Sequence, residues 1–327
     1  SEMLQQNVKD TLREAWKYVE AADLEYVKDK ALDFHKTQVL KDAIVRSAQI
    51  LERDGDVEEI KLLVDDAMKA GTERNLGHDY KVDFEERYSE TARVTTPTPW
   101  DIINELMQGG LGAGELGVVV APAGIGKSWV LSAMGAYAIS QGKNVVHYTL
   151  ELNEAYVGLR YDSIFSGVEG QNLMYHKDEV LEKVEKVEGD LTIKYYPTRS
   201  CTVNTLSAHI KKATSFGAEV DMILVDYADI MRDVGKSTEM RHQLGNIYED
   251  LRGLAGEMQI PIWTASQANR SALDEDVIDA SKVAESYAKV MTADFVISVS
   301  RKIEDKIANT GRFHVIKNRF GPDGLTY

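Results

Sequence analysis

The stretch "GELGVVVAPAGIGKSWV", Gly114 to Val130, sets an apolar run against a glycine-rich turn and continues into residues of helical pattern. The run "LGVVVA" has the length and β-branched content of a strand buried on both faces. The turn carries the phosphate-loop spacing G-x-x-x-x-G-K-[ST], with Ala121 in place of the first glycine. In such a loop, backbone N–H groups and the N-terminus of the following helix surround phosphate oxygens. The predicted nucleotide-binding stretch is Ala123, Gly124, Ile125, Gly126, Lys127, Ser128 and Trp129. Gly124 and Gly126 supply the permissive backbone, Lys127 the charge for the outer phosphates, and Ser128 a hydroxyl for Mg2+. Ala121 matters only if its position demands positive φ, which costs an alanine about 1–2 kcal/mol. Next to a strand it can keep negative φ, so the site is expected to survive.

Working outward, three more apolar runs end in polar residues that suit the same chemistry. "MILVDYAD" places Asp226 at the C-terminal end of a buried strand, where open α/β sheets bind ligands. Its expected role is to hold Mg2+; a turn-capping aspartate is the bland alternative. "HYTLELN" ends with Glu151 on the strand that follows the phosphate-loop helix, placed to orient and deprotonate an attacking water. A helix-starting surface glutamate is the alternative there. "IPIWTASQANR" puts Gln267 at a further strand end, either sensing the γ-phosphate or satisfying local backbone.

Between these runs lie helical stretches, Trp129 to Ile139, Thr205 to Ser215 and Arg241 to Met258, and "ADFVISVSR" and "FHVIKNR" read as late strands. Such alternation predicts an α/β fold, a mostly parallel sheet flanked by helices. Residues 1–72 are read as a small helical N-terminal region, a separate domain or a linker packing on a neighbouring subunit. Leu4, Val8, Leu12, Ala15, Trp16 and Val19 form one stripe, and Leu40, Ala43, Ile44, Ser47 and Leu51 another. Gly55 reads as a stop and Asp56 as a cap before the stripe Val57, Ile60, Val64 and Ala67. Residues 73–99 lose periodicity and read as a polar linker ending at a Thr/Pro cluster, with the nucleotide domain from 100 to 327. The closing "GPDGLTY" stops in what reads as the start of a strand, as a truncated C-terminus would.

Composition bounds the partners. The 327 residues carry a net charge of −15, opposite in sign to a broad nucleic-acid-binding surface. Residues 301–320 run the other way, with six basic side chains against Glu304 and Asp305. Cys201 is the single cysteine, which excludes an internal disulfide framework and fits a reducing cytosol. No apolar run reaches the ~18 residues a membrane span needs, so no membrane partner is expected. The seven histidines have no metal-ligand spacing, and no zinc site is assigned.

The order of the segments resembles the RecA-like ATPase domain of hexameric DnaB-family replicative helicases, most of all those of T-even-type tailed phages. The resemblance rests on "TPTPWDIINELMQGGLGAGELGVVVAPAGIGKS", "YTLELNEAYVGLRYDS", "MILVDYADIM", "IYEDLRGLAGEMQIPIWTASQANR", Glu285–Ser286 and "IKNRFGPDG". It implies a RecA-like P-loop NTPase core and ATP hydrolysis with Mg2+. Lys127 and Ser128 would hold phosphate and metal, Asp226 the metal side, Glu151 would be the base and Gln267 the sensor. Ala at position 121 is common in that family. Lys317 and Arg319 match a basic K-x-R finger that reaches the adjacent subunit's nucleotide; two apart on a strand, they share a face. A salt-bridged strand edge is the alternative.

The family's DNA-contacting loops correspond to "MRDVGKSTEMRH" and "NRSALDEDVIDASKVAES", which offer Arg232, Lys236, Arg241, Arg270 and Lys282 for single-stranded DNA. A ring repeats each cation around one channel, which reconciles such binding with the net acid charge. The resemblance further implies a homo-hexamer, 5′ to 3′ movement, a primase and a helicase loader as partners. It places the protein in the cytoplasm, the bacterial host's if phage-encoded. Two other readings stay open on the residues alone: a RecA-like recombinase filament, and a KaiC-like regulatory ATPase without a DNA role.

Overall fold

The computed structural model describes residues 21–53, 60, 63–64, 67, 80–82, 84–88, 93–235, 239–272, 275–283 and 288–327. The chain divides into two compact units, Ser1–Ser89 and Glu90–Tyr327. In the first, helix α1 spans Ala21–Glu52. Among its described side chains the buried ones are Ala43, Ser47 and Ile50, spaced i, i+4, i+7. The predicted stripe holds at Ala43 and Ser47 but not at Ile44 and Leu51, which are exposed. Each lies one residue, about 100°, beyond the buried row, and apolar identity alone does not choose between adjacent positions. Ile60, Val64 and Ala67 are helical. The stripe Leu4 to Val19, and Gly55, Asp56 and Val57, lie outside the described residues.

The larger unit opens with strand β1 (Thr95–Thr96), helix α2 (Asp101–Leu106) and strand β2 (Leu111–Gly112), β1 and β2 pairing antiparallel. Residues 93–99, assigned to a polar linker by composition, are packed into this unit. Thr96 and Thr98 are buried, and the Arg93 guanidinium donates to both Glu115 oxygens at 2.7 and 2.8 Å and to the carbonyls of Met107 and Gly110. Polar residues satisfied this fully can be interior, which composition does not reveal.

The nucleotide-loop strand β3 (Leu116–Ala121) leads into α3 (Lys127–Ser140), then β4 (Val145–Thr149), α4 (Glu154–Ser166), α5 (Lys177–Val184) and β5 (Leu191–Tyr195). Next come α6 (Val203–Ser215), β6 (Met222–Asp226), α7 (Met240–Met258) and β7 (Ile262–Gln267). The short α8 (Ala288–Thr292), β8 (Phe295–Ser300), α9 (Ile303–Ile307) and β9 (Arg312–Asn318) complete the unit. Seven strands form one sheet in the order β5-β4-β6-β7-β3-β8-β9, parallel throughout except for β8–β9. The connection 301–311 is too short for a parallel crossover, so β9 returns antiparallel. Leu325 and Tyr327 in turn hydrogen-bond to Val315 and Phe313 of β9.

Central strands are buried on both faces, and their alternation splits them between two cores. Leu116, Val118 and Val120 of β3 join Ile223 and Val225 of β6 against Leu206 and Ile210 of α6 and Leu244, Tyr248 and Leu251 of α7. Val119, Ala121, Met222 and Leu224 face the other way, onto Leu131 and Met134 of α3 and Val157 and Tyr161 of α4. Helices on both faces leave the C-terminal strand ends as the open edge, where a ligand site belongs.

Candidate functional site

The loop after β3 has the conformation the motif asks for. Gly124 and Gly126 take φ of +77° and +114°, in the left-handed region, and a Cβ at either would meet nothing within 4 Å, so the requirement is conformational. Ala121 is not among the residues at positive φ; it ends β3 in strand geometry, paired with Gln267. The alanine is therefore no impediment. Gly126 caps α3 without a side-chain bond, and the first turn carries no acidic residue. The first N–H groups of a four-turn helix are thus left to an anion, with the helix dipole in favour.

A cavity of ≈ 320 Å³ opens above this loop. Ala123, Gly124, Gly126, Lys127, Ser128 and Trp129 line one side, and Glu151, Gln267, Tyr227 and Arg160 the other. Ile125, in the predicted stretch, is not part of the lining: it is buried in the core under the loop. Lys127 Nζ donates to Pro122 O at 3.4 Å and lies 5.7 Å from the Tyr227 ring centroid. Burial pushes its pKa down, opposed by the carboxylates of Asp226, Glu151 and Asp229. An ammonium held out of water among acids is set to meet a polyanion.

The strand register brings the polar ends together. Thr149 is opposite Asp226 and Ala121 opposite Gln267, while Val225 is opposite Thr264, so the four parallel strands end on one side of the sheet with β3 and β7 reaching beyond β4 and β6. Beyond β4, the Thr149 hydroxyl donates to Leu152 O at 2.7 Å and accepts from Leu152 N, closing a turn that presents Glu151 to the cavity. Asp226 is buried behind the lining residues, and Ser128 is among the groups that act on its carboxylate. Its Oδ1 has no hydrogen-bond partner. Burial raises the Asp226 pKa, while the Ser128 hydroxyl, Arg160 and Lys127 lower it and Glu151 raises it. A buried carboxylate oxygen without a partner, beside a hydroxyl, is the donor set of a hard divalent cation, and Mg2+ fits it.

This chemistry gives a first expected outcome. A raised carboxyl pKa in the native state contributes stability at low pH that is lost as the pH rises through that pKa. At neutral pH, without metal, the Asp226 charge is therefore a cost. Asp226→Asn is expected to raise the melting temperature of the metal-free protein by about 2–4 °C, the shift that ~1 kcal/mol gives in a domain of this size. The same variant should lose any Mg2+-dependent stabilisation by nucleotide. A lower melting temperature in scanning calorimetry would contradict the assignment.

Arg160 and Tyr227 were not singled out in the sequence. Arg160 sits on α4, which Asn153 caps by accepting from Tyr156 N at 3.0 Å. Its guanidinium carbon is 5.5 Å from the Trp129 ring centroid, and its Nη1 is buried without a hydrogen-bond partner. A cation beside Lys127 with a spare donor adds a second contact for phosphate oxygens. The available signal was an arginine on the helix that follows the strand leading to Glu151.

Lys317 and Arg319 lie outside this cavity, at the opposite edge of the sheet. The register shift between Val296 and Ile297 leaves Ile316 unpaired beside Lys317, and such a bulge re-aims neighbouring side chains. Lys317 Nζ donates to Val290 O at 3.0 Å and to Met291 O. Arg319 Nη1 is 2.6 Å from Oδ1 of the buried Asp294. Arg319 lies one residue past the end of β9, so the two are not a pair within the strand, and both are engaged within the chain. Among the other predicted cations, Arg232 and Arg241 are exposed. Arg232 lines a second cavity of ≈ 270 Å³ with Arg199. Lys282 is paired with Glu275 at 2.8 Å and so is not a free cation; the acids of its own loop neutralise it. Arg270 opens a 3₁₀ turn, Arg270–Ala272, and its side chain lies outside the described residues, as do Lys236, Glu285 and Ser286. No helix among the described residues is long and apolar enough to cross a membrane.

A glycine-rich loop between a buried parallel strand and a helix, facing acids and an amide on three neighbouring strand ends, defines a P-loop NTPase core of RecA-like architecture. Within that class the chain belongs to the DnaB-like helicase C terminal domain family, whose family model matches residues 97–326. It is 29% identical over 286 residues to a DnaB-like replicative helicase of Enterobacteria phage T4, covering 81% of this chain and 59% of the relative. It is 25% identical over 277 residues to the replicative DNA helicase DnaB of Geobacillus stearothermophilus, covering 77% and 59%. The chain thus spans about three-fifths of the length of these relatives. In fold it is similar to a solved ATPase domain, with a TM-score of 0.64 at 15% identity over 76% of this chain and 95% of that one. It is also similar to a DnaB-like replicative helicase described with its interactions with primase, with a TM-score of 0.63 at 14% identity, 94% and 78% being covered.

Proposed function

We propose that this chain is the motor of a ring-forming replicative DNA helicase that hydrolyses ATP at subunit interfaces and moves along single-stranded DNA, 5′ to 3′. The observation that carries the reading is the meeting of Lys127, Ser128, Glu151 and Gln267 in one cavity, with Arg319 two strands beyond β3 on the far edge. A chain whose finger faces away from its own nucleotide needs a second copy to complete the site, which favours a ring with heterologous contacts.

In this reading the loop N–H groups and Lys127 bind the β- and γ-phosphates, and Arg160 adds a donor beside them. Ser128 and Asp226 hold Mg2+, which neutralises phosphate charge when bound. Glu151 accepts a proton from the attacking water while Gln267 fixes its orientation. Arg319 of the adjacent copy meets the charge developing on the transferred phosphoryl group. Arg232, Arg241 and, from the second loop, Arg270 supply backbone contacts to DNA; a hexamer, a primase and a loader are the partners the family reading carries with it. Work of this kind places the protein in the cytoplasm.

A fork-unwinding assay with 5′- or 3′-tailed DNA, run beside ATP turnover, tests this. Unwinding of the 5′-tailed fork and turnover stimulated by single-stranded DNA are expected. Open filaments under an ATP analogue would instead favour a recombinase, and turnover indifferent to DNA a regulatory ATPase.

A further inference from the structure

An ion pair between the buried Lys289 and the largely buried Asp229 stands behind the cavity, outside its lining. Asp229 lies in the 3₁₀ turn Ala228–Ile230 that follows β6. Its Oδ1 is 2.9 Å from Lys289 Nζ and accepts from the Tyr248 hydroxyl at 2.8 Å. Its Oδ2 accepts from the backbone N–H of Gln267 at 3.0 Å and from the Ser266 hydroxyl at 3.2 Å. Lys289 is only 1% exposed, donates also to Ser266 Oγ at 3.3 Å and sits 5.7 Å from the Tyr248 ring centroid.

The topology explains why that carboxylate is needed. The pairing of β6 with β7 ends at Val225 and Thr264, so the last residues of β7 run past their neighbour. The Gln267 N–H then has no strand carbonyl on that side, and Asp229 takes the strand's place. The segment leaving β7 after Gln267 is pinned at its base by the bridge Ala268–Val283 and by Asn269 N donating to Lys282 O at 2.8 Å. It comes back in α8, where Lys289 reaches the same carboxylate. Both ends of this segment are therefore tied to Asp229. Packing alone does not call for a lysine there, because a buried ion pair is on average no more stabilising than apolar residues of the same volume.

We propose that Lys289 is a positioning residue that, through Asp229, fixes the tip of β7 and with it the cavity-facing Gln267, so that tension on residues 268–288 is felt at the site of hydrolysis. This rests on the reading of Gln267 as part of a hydrolytic site and of the segment as a DNA contact.

The test uses the full chain with Lys289→Met, Lys289→Met/Asp229→Asn and Tyr248→Phe, reading melting temperature, ATP turnover with and without single-stranded DNA, and amide exchange over residues 262–272. Lys289→Met alone is expected to be unstable, since it leaves a largely buried carboxylate without its cation. The double variant removes both charges and should recover most of the melting temperature. Its kcat should still fall by roughly ten- to a hundredfold, with KM for ATP little changed, because the phosphate contacts are intact and only the geometry is loosened. Exchange at Gln267 and Ala268 should speed up while the rest of β7 stays protected. A double variant with normal melting, kcat and exchange would overturn the proposal. If it does not fold, Tyr248→Phe decides: removing one hydroxyl from the same carboxylate should lower kcat by about three- to tenfold and speed the same exchange, and no change in either refutes the idea. Wild-type protein without DNA-stimulated turnover would sink the helicase reading instead, leaving exchange at Gln267 as the separate test of the lock.

Discussion

Lys127→Ala is expected to cut ATP turnover by about 1,000-fold or more, on the scale of losing a principal charge-stabilising donor in a water-poor site. The geometry of the loop makes that loss chemical and not conformational. The ammonium makes one long hydrogen bond, to Pro122 O, and burial lowers its pKa, so the fold gains little from it. Removing it leaves Gly124 and Gly126 in their left-handed conformations and α3 with its cap unchanged. Ser128 and Asp226 are untouched by the change. The melting temperature of the nucleotide-free variant should therefore stay within a few degrees of wild type, while stabilisation by ATP, which grows with the logarithm of ligand over Kd, should largely vanish. Turnover within tenfold of wild type would place the phosphates elsewhere.

Lys127 was legible because two signals of different period meet there: a run apolar on every residue, then a glycine spacing that no packing requirement produces. The same clarity holds for β6, β7 and β8, which are buried on both faces. It fails where burial is partial. In "LTIKY" no residue of β5 is fully buried, because the strand lies at the sheet edge beside β4 alone, so its apolar alternation is weak. The helices α4 and α5 escaped for a related reason: α4 does carry an inward row, Val157, Tyr161, Ile164 and Phe165, but the exposed Tyr156 and Leu159 blur it, and in α5 Leu181 is exposed beside the single buried Val180. Arg160 went with them, since a functional side chain on an unrecognised helix cannot be assigned to any site. Lys289 was invisible in a different sense. Nothing in "YAKVMTADF" distinguishes a buried lysine from a solvated one; its partner Asp229 is sixty residues away, and only the fold introduces them.

Arg319→Ala should leave nucleotide affinity close to normal and lower hydrolysis by about 1,000-fold or more, the range a finger supplied across an interface provides. Within one chain the guanidinium spends a single nitrogen on Asp294, and the side chain is 51% exposed. A planar fork with five donors can keep that contact and still offer others to a neighbour's phosphate. Asp294 does not depend on it: Arg252 Nε stands 2.5 Å away and Leu116 N donates at 2.9 Å, so the carboxylate stays paired when Arg319 is gone. The fold should accordingly persist, which makes the variant a clean probe of trans action. Mixing it in equal amounts with Glu151→Ala, itself inactive, regenerates intact sites wherever an Arg319→Ala copy receives the finger of a Glu151→Ala copy. With random assembly of a heterologous ring that is about one interface in four. Turnover should rise toward a quarter of wild type if the sites fire independently, and by less if they must fire in order around the ring. A mixture no more active than its components, under conditions where subunits demonstrably exchange, would mean that Arg319 acts within its own chain, where the nearest partner is Asp294 and the finger assignment has no nucleotide to meet.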